Sequence, residues 1–181
     1  IIAITDYVDP KDTLTISLGH DISYTDIEEK VLISEKTVFT GSNYVDTGIQ
    51  LLSEDRDFVI AIDCESDGGT ANSVLAQCYS GLDSSGFRII YNNGVKVGWG
   101  SVSTNSMLSG RREMIVLRHK KGDLGLHVYV SNTTSTNISY VELTGVHSMT
   151  HDVSLVFGCN KLEDGSYENH GKGTVYWSKV W

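Results

Sequence analysis

The chain has 181 residues, enough for one β-sandwich with a full hydrophobic core and no second domain. Its 40% hydrophobic and 20% charged residues fit a folded, soluble protein, and no apolar run nears the roughly 20 residues of a membrane helix. A formal net charge of −9 argues against nucleic acid and anionic membranes as partners, because both require clustered Lys and Arg.

The opening Ile1-Ile-Ala-Ile4 is too short for a signal peptide and lacks its basic flank. The missing initial Met and the apolar close at Trp181 are what a domain excised from a longer polypeptide would show. Helix signals are confined to Asp26–Lys30, good for one short turn, and Ser73–Cys78, which could be helical in isolation. Elsewhere apolar residues alternate or run briefly between Gly, Asn, Asp and Ser clusters, the strand-and-turn pattern. Strands are expected at about Leu14–Leu18, Val31–Phe39, Tyr44–Gly48, Phe58–Glu65, Val74–Tyr79 and Phe87–Tyr91. More follow at about Val95–Trp99, Met114–His119, Gly125–Val130, Tyr140–Leu143, Val153–Gly158 and Gly173–Trp181. Asn92-Asn93-Gly94 predicts a type I′ hairpin turn, and Lys120–Asp123 a second hairpin loop. Asn132–Ser139 reads as an exposed polar loop. Many short strands with no interleaved helices imply a sandwich or barrel. Alternation places Phe58, Ile60, Ile62 and Cys64 on a core face, with Val59, Ala61, Asp63 and Glu65 opposite.

Cys64, Cys78 and Cys159 are too few and too scattered for a disulfide framework, and no C-x-x-C is present for zinc. Buried free thiols are expected, in a protein folded in a reducing cytoplasm.

Several segments resemble a known family. Phe39-Thr-Gly-Ser-Asn-Tyr-Val-Asp-Thr-Gly-Ile49 followed by Asp57-Phe-Val-Ile-Ala-Ile62 resembles the entry of a laminin-G-like, concanavalin A-like jelly roll, with Val59 where Thr is usual. Arg112–His119 with Leu126-His-Val-Tyr129 resembles the family's paired central strands. Leu155-Val-Phe-Gly158 and Gly173-Thr-Val-Tyr-Trp-Ser-Lys-Val-Trp181 resemble its closing strands. The resemblance implies an all-β, two-sheet antiparallel jelly-roll sandwich of the lectin/glucanase type as a single domain over 1–181. The core spans 38–181; residues 1–37 carry no recognisable motif. The last nine residues resemble domains of tail and baseplate proteins of phages of Gram-positive bacteria. That likeness implies a virion protein acting at the bacterial surface. Its partners would be a cell-surface polysaccharide of the host and the other domains of a larger tail protein.

The strongest sign of an enzyme is Asp63-Cys-Glu-Ser-Asp67, since β-glucanases of this fold carry alternating acids on one strand. Neighbouring carboxylates would lie about two rises of 3.3 Å apart, and a retaining glycosidase needs about 5–5.5 Å. The family pattern has Glu at both outer positions, where Asp63 and Asp67 stand here, and Gly68-Gly69 ends the strand, so the chain is read as no enzyme. A glycoside hydrolase using Asp63 and Glu65 is the lesser alternative. These acids and the loop Glu163–Glu168 are also the only calcium candidates; neither matches an EF-hand, and no cofactor is expected. His147 and His151 stand four apart without the following Glu of a zinc protease, and His20, His119, His127 and His170 are scattered.

Sugar recognition requires an aromatic face for the C–H side of the ring and polar groups for its hydroxyls. The platforms considered are Trp99, Tyr79, Tyr91, Tyr167 and Trp177; the polar partners are Asp63, Gln77, Arg88, Arg118, His127 and Asn169. Trp99 also alternates with core-like Val95 and Val97, and one of Trp177 and Trp181 is expected in the core. Arg88, between Phe87 and Ile89, must face outward, and Tyr167 sits in a polar loop. The site is therefore expected among Asp63, Gln77, Arg88, Trp99, Arg118, His127 and Tyr167, in a non-catalytic carbohydrate-binding module. The alternative is a structural or protein-interaction domain of the same particle.

Overall fold

The computed structural model describes residues 30–51, 57–66, 73–80, 85–91, 94–105, 112–132, 138–145, 153–162, 164–168 and 171–181. In chain order the strands are β1 (Lys30–Ile33), β2 (Thr37–Thr40), β3 (Val45–Gln50), β4 (Phe58–Ser66) and β5 (Ser73–Ser80). Next come β6 (Ser85–Tyr91), β7 (Val95–Trp99), β8 (Val102–Ser103), β9 (Arg112–His119) and β10 (Gly125–Asn132). The chain closes with β11 (Ile138–Thr144), β12 (Ser154–Phe157), β13 (Asn160–Lys161), β14 (Tyr167–Glu168) and β15 (Lys172–Val180).

These strands build an antiparallel sandwich. One sheet has seven strands in the order β1-β15-β4-β9-β10-β11, with β2 also on β15; the other has six, β3-β12-β5-β6-β7-β8. Strands β13 and β14 form a separate two-stranded hairpin. The sequence dictates this arrangement through period-two alternation: β9 alternates half-buried and buried residues along its whole length. Ile60, Ile62, Ile115, Leu117, Val128 and Val130 of the seven-stranded sheet meet Phe87, Ile89, Val97, Trp99, Leu155 and Phe157 of the six-stranded one. Phe58, Ile60, Ile62 and Cys64 face the core as expected, but Ala61 and Asp63 on the opposite face are buried too.

The inward face of β9 carries two polar residues, Glu113 and His119. His119 lies between the rings of Phe58 and Trp99, with centroids 5.4 and 5.3 Å away. Its Nδ1 is 3.0 Å from the carbonyl oxygen of Gly125, a partner that makes the buried imidazole tolerable.

Three expectations change. The run Val31–Phe39 is two strands, because the chain breaks between Ile33 and Thr37 and both pieces pair with β15. Ser73–Cys78 is a strand in register with β6, not a helix. The acidic loop at Glu163–Glu168 is in part the β13–β14 hairpin. Strands β6 and β7 pair as the predicted hairpin requires, although Asn92 and Asn93 lie outside the described residues, as does Leu14–Leu18. All three cysteines are free and buried.

Candidate functional site

The outer face of the six-stranded sheet carries a continuous row in register: Asp46 on β3, Val156 on β12, Gln77 on β5, Arg88 on β6, Gly98 on β7 and Ser103 on β8. The chain leaving β12 turns back over this face. Gly158 adopts φ +82, and a Cβ there would stand 2.3 Å from the Phe39 ring. Its N–H donates to Leu75 O at 3.0 Å, while Gly171 N–H donates to Gly158 O at 2.8 Å. A Cβ on Gly171 would fall 2.1 Å from Val74 O, so both ends of the returning segment lie against β2 and β5 at positions only glycine fits. Between them the hairpin closes through Leu162 N–H to Ser166 O and the Asp164 carboxylate on Ser166 N–H, both at 2.8 Å.

Polar contacts fasten this hairpin to the sheet. Lys161 Nζ donates to Asp46 Oδ2 at 2.6 Å and to Ser154 Oγ at 3.0 Å. Gln77 Nε2 donates to Lys161 O at 3.3 Å, which is why Gln77 is buried on a nominally outward face. Tyr167 O–H donates to Asp46 Oδ2 at 3.1 Å, and its ring stacks on Tyr44 with centroids 3.9 Å apart. Burial works to raise the Asp46 carboxyl, but the Lys161 ammonium, Ser154, Gly48 and Tyr167 outweigh it and hold it at about 2. Burial and the adjoining Asp46 carboxylate push the Tyr167 phenol up to about 12.

The result is a step. The hairpin is fastened to the β3–β12–β5 half of the face, and among the described residues none of these fastening contacts reaches the β6–β7–β8 half. There Arg88 lays its guanidinium over Tyr79, 4.7 Å from the ring centroid. The Arg88 side chain runs over Gly98, where a Cβ would meet its Cγ at 3.4 Å and Nε at 3.7 Å in ordinary contact. At the root of the hairpin, Asn160 Oδ1 is buried with no hydrogen-bond partner among the described residues.

The outer face of the seven-stranded sheet is furnished differently. Arg112 grips Asp63 with two hydrogen bonds, 2.9 and 2.6 Å, and lies 3.7 Å over the Tyr176 ring. Tyr176 O–H donates to Glu65 Oε2 at 2.6 Å. The bond to Asp63 raises the Arg112 guanidinium, and the bond to Glu65 raises the Tyr176 phenol. Both carboxylates of the suspected catalytic pair are thus engaged as acceptors, and Asp63 is only 4% exposed. A general acid needs an accessible carboxyl, and Asp63 is buried beneath Arg112. Arg118 and His127 pair across β9 and β10 on this face, and His127 Nδ1 lies 2.9 Å from Tyr140 Oη.

The seven sequence-predicted residues therefore separate. Gln77, Arg88 and Tyr167 come together at the step. Asp63, Arg118 and His127 stand on the opposite face. Trp99 is fully buried, its Nε1–H donating to Leu124 O at 3.0 Å, and it offers no ring face to a ligand. Neither Trp177 nor Trp181 joins the core; both are half-buried, since a bulge between Val175 and Trp177 resets the strand phase. Asp67, Glu163, Asn169, His20, His147, His151 and His170 lie outside the described residues. Among the described residues no three His, Cys, Asp or Glu side chains gather as a metal site. Sequence reasoning missed Asp46, Asn160 and Lys161. Asp46 sits inside a stretch read for fold alone, and Lys161 carried no local signal.

No family model matches the chain, and no curated protein does. Solved structures do. A mutant GH54 α-L-arabinofuranosidase soaked with a nitrophenyl arabinofuranoside matches with TM-score 0.53 and 14% identity over 71% of this chain. NanB with Optactamide matches with TM-score 0.53 and 12% identity over 81%. This chain spans only 32% and 25% of those two proteins. The carbohydrate-binding module CBM40 of a Ruminococcus gnavus IT-sialidase, bound to α2,3-sialyllactose, matches with TM-score 0.54 and 11% identity, over 85% of this chain and 90% of its own length. At these identities the likeness is one of fold, a β-sandwich of this kind.

Proposed function

We propose that this chain is a non-catalytic carbohydrate-binding module that takes its saccharide at the foot of the β13–β14 hairpin, on the outer face of the six-stranded sheet. The observation that carries the reading is the Arg88–Tyr79 pair on the sheet face, in register beside the Gln77 that ties the fastened wall to it. A half-exposed ring stacked on an Arg gives a sugar both apolar and polar contact. The fold neighbour that matches over nine-tenths of its own length is a carbohydrate-binding module, which supports a saccharide ligand. The engagement of Asp63 and Glu65 by Arg112 and Tyr176 supports binding without hydrolysis.

The finer reading assigns the ligand to the cell-wall polysaccharide of a Gram-positive host and the chain to a phage tail protein acting at that surface. It is supported by the resemblance of Gly173–Trp181 to tail-associated domains. Weak single-site affinity would be multiplied by many copies on one particle.

The experiment is binding of the fluorescently tagged protein to a glycan array and to purified wall polysaccharides, with Tyr79→Ala beside it. Saturable binding that Tyr79→Ala weakens at least tenfold is the expected outcome. A flat profile on both would leave a structural or protein-interaction domain as the reading.

A further inference from the structure

On the reading that the step binds a saccharide, we infer that the ligand is acidic and that its negatively charged group docks on Arg88. The whole chain holds 23 acidic and 14 basic residues. Yet strands β5, β6, β7 and β8 contain no Asp or Glu in their sequences, while β6 and β7 supply Arg88 and Lys96.

The register puts these two cations together. Arg88 pairs with Gly98, and Ile90 pairs with Lys96, so Arg88 and Lys96 are diagonal neighbours on one outward face. Such neighbours lie about 7–8 Å apart, near enough for one anion or two adjacent acidic units to meet both. Among the described residues no carboxylate pairs with either of them. On the wall, Asp46 is taken by Lys161 and Tyr167 and Asp164 by Ser166, which leaves Glu168, opposite Asn160 on the hairpin, as the nearest acid of the wall in sequence register.

The geometry of Arg88 is that of a prepared anion receptor. The Arg88 side chain passes over Gly98 and sets its guanidinium over the Tyr79 ring, contacts that limit the rotamer freedom lost on binding. Its planar fork suits a carboxylate or a phosphate in two parallel hydrogen bonds. In a protein of net charge −9 an anion is repelled at long range, so this local positive ground gives selectivity for ligands that reach it.

The test titrates the full chain by calorimetry with lactose, with 3′-sialyllactose as the carboxylate arm, and with a glycerol-phosphate polymer as the phosphate arm. Arg88→Gln and Arg88→Lys are run in parallel, with near-ultraviolet dichroism confirming the native fold. We expect one acidic ligand to bind at least tenfold tighter than its neutral counterpart, and tenfold weaker again in 0.5 M salt. Arg88→Gln should erase that preference by roughly ten- to a hundredfold, and Arg88→Lys should recover only part of it. The arm that binds identifies the source of the charge. Equal binding of neutral and acidic saccharides, or an unchanged preference in Arg88→Gln, overturns the inference and leaves the saccharide reading intact. No binding of any saccharide, including on the glycan array, removes both.

Discussion

Lys161 Nζ and Asp46 Oδ2 meet at 2.6 Å although 115 residues of chain separate them, and this ion pair is the main polar fastening of the hairpin to the six-stranded sheet.

Lys161→Ala should cost about 1 kcal/mol in stability, the scale of a half-exposed pair. Its larger effect should fall on ligand binding, since the wall is released. Because Asp46 is held at about 2, below its ordinary 3.8, the pair contributes fully above pH 4 and its contribution fades as pH falls through 2. Denaturant midpoints at pH 2, 3 and 4 should fall more steeply for the native chain than for Asp46→Asn.

Gly158→Ala should destabilise far more than Gly165→Ala. Both positions have φ +82, but a Cβ at 158 strikes the Phe39 ring while one at 165 meets nothing within 4 Å. The strained backbone alone costs about 1 kcal/mol, and overpacking adds roughly 1–3 kcal/mol at Gly158. Equal losses in urea unfolding would show that the close approach to Phe39 is unimportant.

Arg112→Ala should lose about 3 kcal/mol, because it strands Asp63 beneath the surface without a counter-charge. Asp63→Asn should cost less, since an amide keeps a hydrogen-bonding oxygen and no charge is left unpaired. Thermal unfolding of the two variants side by side checks the order.

Trp99→Phe should destabilise by about 1–3 kcal/mol through the lost Nε1–H bond to Leu124 O and the lost ring volume. Saccharide affinity of the folded variant should not change. A selective loss of binding would return Trp99 to the site.

The fold was legible because β-sandwich packing writes itself into period-two alternation: Phe58–Cys64 and Arg112–His119 show their inward faces directly. The two sheets, the β6–β7 hairpin and the thiols follow from the same local rules. The site was only half legible. Arg88 announced itself because its neighbours Phe87 and Ile89 must point inward. Gln77 and Tyr167 were reached for their chemistry, without the wall that joins them. That wall depends on Gly158 and Gly171 and on a contact from residue 46 to residue 161, and no window of sequence holds both ends. Trp99 was named for its aromatic type although its alternation with Val95 and Val97 already pointed to the core, where it lies; the half-buried Trp177 could not be foreseen, because a bulge at Val175–Trp177 resets the alternation.

The distance in sequence between Asp46 and Lys161 also bears on the order of assembly. Closing a loop of that length is entropically costly and slow beside the formation of the β9–β10 or β6–β7 hairpins, whose strands are neighbours in sequence. A chain that has formed only those hairpins has strands but no step, and so nothing for a ligand to recognise. Ligand capture would therefore mature later than β-structure in a refolding experiment, and a circular-dichroism trace would reach its plateau before the binding signal did.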